Sequence, residues 1–439
     1  MKNRFLTIII FSITIISTAY SQNLEGRYEG AVSRDGSIQL VNFDFIIEDG
    51  IQKGTYEIPE NGSFDVPIDK IIMFKDTLNI KFYFGNFFCF LDEQKESLTG
   101  ISEKWNPKIR LHVKKTTDKE KPYFKEDITF SNGDVKLSGM LYHPKNRIGQ
   151  PVNYVVLVHG SGAQDRFSPY YISLGYSLVK NGFGVLLYDK RGTGLSSGNF
   201  EISSMEDLAD DAVAALNYLN NKKDIKKSEI GFLGTSQGGW ISPIAANKSK
   251  SCDFLILNVG PSVSVFEQDI NRVEYSMKND GWNQSSIDST VLYTELYFQY
   301  ARDNSPETWK RLDKFSKEIK SKDWVDYVNI PENKDDFEWW RLNDYNPETT
   351  LKSLKCRTLA LFGEYDPLVP PKENETKMRD YLNSSGVEFE IRVIEGALHD
   401  MRTFQGLNGD NWNWPIVYWD WRVQPKAFIN SMTQFLNKN

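Results

Sequence analysis

The sequence predicts an α/β protein: a mostly parallel sheet with helices on both faces, interrupted by a helical insertion and preceded by a small all-β domain. Three observations carry this. From Tyr154 to Leu436 short apolar runs alternate with amphipathic stretches, the pattern of strands joined by crossover helices. Between Val259 and Thr358 the alternation stops for about a hundred residues of helical spacing, too long for a loop inside a compact domain. Before residue 118 the chain shows short strand signals separated by Asp-Gly and Asn-Gly turns, with no helical period.

Composition narrows the function classes. The 439 residues are 40% hydrophobic and 25% charged, enough apolar material for two cores. A net charge of -7 supplies no basic field for a phosphate backbone, which argues against nucleic acid as a partner. Aromatic residues reach 13%, with clusters at Trp339-Trp340 and at Trp412, Trp414, Trp419 and Trp421 that fit either a packed core or an apolar or carbohydrate-sized site.

Residues 1–21 read as a secretory signal: Lys2 and Arg4, an apolar run short for a membrane span, then Ala19 and Ser21 ahead of a cut before Gln22. The expectation is an exported protein, periplasmic or extracellular, with no stable membrane anchor after cleavage. Cys89, Cys252 and Cys356 are an odd count for an oxidising compartment, so at least one stays unpaired within the chain. Cys252 and Cys356 each precede a strand-like run and approach each other if those strands are neighbours, although free buried thiols are the simpler reading. No Cys or His pair stands at metal-ligand spacing, so no metal site is expected.

Taken in order, residues 22–118 form the all-β domain, a sandwich or partly closed barrel, with strand signals at Gly26–Gly30, Ile38–Ile47, Leu78–Tyr83 and Ile109–Val113 and turns at Asp35-Gly36, Asp49-Gly50 and Asn61-Gly62. Residues 119–439 form the α/β domain. It opens with a hairpin over Glu126–His143 turning at Asn132-Gly133, then strand Tyr154–Val158, helix Pro169–Lys180 and strand Phe183–Tyr188. Helix Met205–Tyr218 starts at a capping box of Ser204 and Asp207. Strands follow at Ile230–Leu233, Phe254–Val259, Thr358–Phe362 and Glu388–Val393, and helix Pro425–Leu436 closes the chain. The helical insertion, about 262–350, follows the strand after Ser236, which suits a lid or cap over that residue.

The chemistry centres on Glu229–Gly239, a buried strand, a sharp turn and a helix start, with Ser236 at the turn. Gly234, Gly238 and Gly239 remove Cβ atoms where strand and helix meet. Gly-x-Ser-x-Gly by itself is weak, since a chain of this size carries about 0.15 such matches by chance. A serine hydroxyl also needs a base, and the base an orienting acid. His112 lies in the β-domain, His143 ends a hairpin strand and His159 sits in a glycine loop, leaving His399 in the loop after the last strand as the base. Asp366, in the turn after Phe362, is the favoured acid, with Glu364 its neighbouring alternative. The loop His159-Gly-Ser-Gly-Ala-Gln-Asp-Arg166 follows a buried strand and can offer backbone N–H groups to an oxyanion. Ser161 is the first choice, Gly162 the alternative, and Gln237, just after the nucleophile, supplies the second donor. Asp165 and Arg166 are read as a pair with each other.

These motifs, with Asp189-Lys-Arg-Gly-Thr-Gly-Leu-Ser-Ser-Gly198, resemble those of the α/β-hydrolase superfamily and within it the secreted bacterial carboxylesterases of the EstD type, which also carry a β-rich N-terminal domain. The resemblance runs from about Asp127 to the C-terminus. It implies the α/β-hydrolase fold, a structural turn at Asp189-Lys190-Arg191, and hydrolysis of a small-molecule ester through an acyl-enzyme on Ser236, with no metal or organic cofactor. It leaves the natural ester, the acyl chain length and the oligomeric state open.

Two rivals remain. A serine exopeptidase shares the fold, and Glu295, Asp335, Asp336 and Glu338 are its candidate anchors for an amino terminus. A catalytically inert secreted glycan-binding protein would use the Trp clusters.

Overall fold

The computed structural model describes residues 24–34, 37–82, 85–102, 106, 108–403 and 422–438. The expected signal at 1–21, the Asp35-Gly36 turn and Trp412, Trp414, Trp419 and Trp421 lie outside the described residues. The chain divides into two compact units. One holds the chain up to Ile38 with Phe43–Gly54 and Ile68–Thr117; the other holds Gln39–Asn42, Thr55–Pro67 and Asp118–Asn439.

The N-terminal strands are β1 (Gly26–Arg34), β2 (Ser37–Glu48), β3 (Ile51–Ile58), β4 (Ser63–Pro67), β5 (Lys70–Phe74), β6 (Thr77–Phe82), β7 (Gly85–Leu91), β8 (Ser97–Ser102) and β9 (Ile109–Thr116). They form one nine-stranded sheet in the order β4-β3-β2-β1-β9-β8-β7-β6-β5. β1 pairs antiparallel with β9 and so joins two meanders edge to edge in one continuous sheet, and the Phe43 ring of β2 lies 5.6 Å from the Phe82 ring of β6, so the sheet curls around a shared core. Alternation along β7, where Phe87 and Cys89 are buried and Phe88 and Phe90 exposed, marks a sheet with one solvated face.

A second sheet, within the second unit, is made of β10 (Tyr123–Asn132), β11 (Val135–Pro144), β12 (Val152–Val158), β13 (Gly184–Tyr188), β14 (Lys227–Thr235), β15 (Phe254–Asn258), β16 (Arg357–Gly363) and β17 (Phe389–Ile394). Their order is β10-β11-β13-β12-β14-β15-β16-β17. β10–β11 and β11–β13 are antiparallel, and every later pairing is parallel. The central strands are buried on both faces, so they read as continuous apolar runs. Alternate residues enter two cores: Val156 and Val158 join α2 (Met205–Asn221) and α3 (Gly238–Lys248), while Val155 and Leu157 join α1 (Pro169–Lys180) and α10 (Lys426–Leu436). The Ser204–Asp207 capping box is present at the start of α2.

Between β15 and β16 lie α4 (Val265–Asn279), α5 (Gln284–Asp303), α6 (Pro306–Ile319), α7 (Glu338–Leu342) and α8 (Glu348–Lys352). Phe266 stacks on Phe298 at 4.5 Å, and Trp340 packs edge-on to Phe298 at 4.9 Å, so this Trp is core material of the insertion. Helix α9 (Pro371–Ser385), between β16 and β17, was not legible in the sequence: its buried residues are Asn374, Met378 and Leu382, a stripe broken by a polar residue. Cys252 and Cys356 stand side by side before β15 and β16, Sγ to Sγ 3.9 Å, and all three cysteines are free thiols.

Candidate active site

Ser236 occupies the turn between β14 and α3 with φ of +54°, a left-handed conformation that an L-residue holds only against a steric cost. Close packing around it imposes the turn. A Cβ on Gly234 would lie 2.1 Å from the Gly238 oxygen, and one on Gly239 2.3 Å from the Gly260 Cα. The strand-turn-helix connection therefore closes only with glycine at these positions, and the Ser236 N–H donates to Asn258 O at 3.0 Å.

His399 and Asp366 arrive from the loops after β17 and β16, two neighbouring parallel strands. His399 Nε2 lies 3.0 Å from Ser236 Oγ, and its Nδ1 2.8 Å from Asp366 Oδ2. Asp366 is fully buried, and its other oxygen accepts the N–H groups of Leu368 at 2.8 Å and Val369 at 2.9 Å. Both carboxylate oxygens are thus committed, which fixes the ring that faces the serine. These partners assign the imidazole proton to Nδ1 in the resting state, leaving Nε2 to accept from the hydroxyl.

The remaining histidines have other partners. His143 bonds Tyr154 Oη and Glu126, and His112 bonds Thr99. His159 is buried against the rings of Tyr171 and Tyr188, and burial pushes its pKa down to about 3, which keeps it neutral. Glu364 is a brace: its Oε2 accepts the Gly396 N–H at 2.8 Å in the loop that carries His399.

The glycine loop after β12 packs on the elbow, since a Cβ on Gly160 would sit 3.3 Å from the Ser236 Cβ. Ser161 is exposed at the crest of this loop, and Gln237 is buried just after Ser236. The expected Asp165–Arg166 pair is not formed. Arg166 instead makes a buried bidentate pair with Asp189, Nε to Oδ1 3.1 Å and Nη2 to Oδ2 2.9 Å, while Asp165 Oδ1 accepts the Phe167 N–H at 2.8 Å. Adjacent side chains in a turn diverge, whereas the end of β13 presents Asp189 squarely to the guanidinium. Arg191 pairs in turn with Asp211 of α2, Nε to Oδ2 2.6 Å.

Three further residues that carry no motif signal tie the surroundings together. Gln268 of α4 donates to Leu368 O at 2.5 Å and accepts from Asn374 of α9 at 3.1 Å, linking the insertion to the Asp366 loop. Arg402 donates to Asn61 O at 2.7 Å and Ser63 Oγ at 3.1 Å, steadying the segment just beyond His399.

Residues 149–294 match the family profile described as serine aminopeptidase, S33, a span that includes Ser161, Ser236 and Gln237 and ends before Asp366. Esterase EstD of Thermotoga maritima is 24% identical over 331 residues, 73% of this chain and 71% of that protein. The chain has the α/β-hydrolase fold. The hydrolase also aligns with the quorum-quenching protein AidA of Acinetobacter baumannii, 29% identical over 126 residues, 28% of this chain and 40% of that one. Among solved structures, the Pyrococcus furiosus esterase Pf2001 superposes with a TM-score of 0.44 and 18% identity, covering 72% of the hydrolase and 90% of that chain.

Proposed function

We propose that this α/β-hydrolase is an exported serine carboxylic ester hydrolase acting on small-molecule esters through an acyl-enzyme. The observation that carries the reading is the continuous line from Ser236 Oγ to His399 at 3.0 Å and on to buried Asp366 at 2.8 Å. Ser236 attacks the ester carbonyl carbon while His399 Nε2 takes its proton and Asp366 stabilises the imidazolium. The N–H groups of Ser161 and Gln237 receive the oxyanion, each worth about 3 kcal/mol in the transition state. Collapse expels the alcohol, which leaves with the proton from His399; water then attacks the acyl group with His399 again as base, releasing the acid.

The helical insertion serves as a cap, a role supported by its tie through Gln268 to the Asp366 loop. Export rests on the basic, apolar and small-residue order of positions 1–21.

A serine exopeptidase is the second reading, favoured by the description of the matched family. Against it, Glu295, Asp335 and Glu338 are exposed on the insertion and Asp336 caps a short helical turn, so no acidic pair converges as an amine anchor among the described residues.

Chromogenic esters from short to long acyl chains, together with aminoacyl amides, decide between them. Ester turnover lost in Ser236→Ala is expected; amide turnover that requires a free amino group, with inert esters, would reverse the order of the two readings.

A further inference from the structure

Lys190 is the middle residue of the Asp189-Lys190-Arg191 run, and its two neighbours face away from it toward Arg166 and Asp211. Its own side chain is buried and runs under the glycine loop, packed against the Phe200 ring at 5.5 Å. The ammonium donates to Gly160 O at 2.5 Å, to Gly162 O at 3.0 Å and to Gln237 Oε1 at 3.5 Å. All three acceptors are neutral, and no carboxylate pairs with Lys190 among the described residues. Burial pushes its pKa down to about 8. A buried cation without a counter-ion is a costly choice for a structural strut.

The geometry of a trans peptide says what this strut does. The C=O of one residue and the N–H of the next point in opposite directions across the same rigid plane. Holding Gly160 O on the ammonium therefore aims the Ser161 N–H away from Lys190. Gly160 belongs to this peptide and Gly162, with φ of +77°, follows Ser161, so the local chain offers little resistance to a flip. The same ammonium reaches the side chain of Gln237, whose N–H is the second donor.

We propose that Lys190 is a positioning residue of the oxyanion hole, fixing the Gly160–Ser161 peptide and Gln237 as one preorganised donor pair and polarising the Ser161 N–H through its peptide. This rests on the acyl-transfer reading above. Lys190 touches no reacting atom; it acts through the donors, so its effect appears when negative charge develops on the substrate oxygen and not when the ester binds.

The test compares wild type, Ser236→Ala, Lys190→Met and Lys190→Gln on the best ester, with inhibition by an alkylboronic acid, which forms a tetrahedral anionic adduct on the serine. In Lys190→Met, kcat is expected to fall about a hundredfold or more with KM within about threefold. The boronate Ki is expected to rise in parallel with the loss in kcat/KM, with Lys190→Gln intermediate. A role limited to folding would lower the active fraction and leave Ki at the wild-type value, which would overturn the proposal. So would a kcat within about threefold of wild type, or failure of both variants to melt cooperatively, which would place Lys190 in the fold. Wild-type protein that neither hydrolyses esters nor binds boronate would sink the acyl-transfer reading itself, and this proposal with it.

Discussion

Glu364 Oε2 and the Gly396 N–H are joined at 2.8 Å, so one carboxylate ties the turn holding Asp366 to the loop holding His399. Backbone bonds run alongside it, from Glu364 N–H to Ile394 O at 3.1 Å and from Tyr365 N–H to Ala397 O at 2.9 Å. Glu364→Gln keeps an acceptor and is expected to behave like wild type. Glu364→Ala strands the Gly396 N–H and is expected to cost about 1 kcal/mol of stability and to lower kcat several-fold with little change in KM. Urea melts and steady-state kinetics on the pair check both statements.

Asp366→Asn separates orientation from folding. The amide oxygen can still accept the Leu368 and Val369 N–H groups, so the protein is expected to fold, while its NH2 group faces His399 Nδ1 and favours the wrong tautomer. A loss of about ten-thousandfold in kcat is expected. Unchanged turnover in a well-folded Asp366→Asn protein would remove Asp366 from the mechanism.

Gly239 and Gly133 predict opposite tolerances. Gly239→Ala drives a methyl into the Gly260 backbone at 2.3 Å, where no side chain can yield, and a loss of about 3 kcal/mol or more is expected. Gly133→Ala meets nothing within 4 Å and bears only the strain of φ +55°, about 1 kcal/mol. Thermal melts of the two proteins provide the comparison; equal effects would contradict the close approach at the elbow.

His159 predicts an acid limb of stability. Its folded pKa of about 3 lies below the ordinary 6.5, so between these values the unfolded chain takes up a proton that the folded protein refuses. Stability from this group is complete above pH 6.5 and falls by about 1.4 kcal/mol per pH unit down to pH 3. Unfolding free energies measured between pH 4 and 7 are expected to show one fewer proton taken up in His159→Gln than in wild type.

Much of the architecture was legible. Helix Pro169–Lys180 has its expected limits and the parallel strands fall within a few residues of their apolar runs, while Ser236, His399 and Asp366, up to 163 residues apart, stand in hydrogen-bonded sequence. Strongly patterned elements are readable because burial repeats every two or 3.6 residues. Helix α9 escaped because Asn374 sits in its buried stripe, and the strand order of the N-terminal sheet was not legible because strand signals carry no pairing information beyond adjacent hairpins.

By itself the sequence determined most of the elements and their order, since propensity, periodicity and turn chemistry act over a few residues. Only the tertiary structure decided the polar partners. Arg166 bonds Asp189 rather than adjacent Asp165, Glu364 braces rather than orients the base, and Lys190 reaches the carbonyls of a loop 28 and 30 residues away. Such choices depend on which strand ends packing brings together and which buried donor must then find an acceptor, a constraint that exists only after the chain has closed on itself.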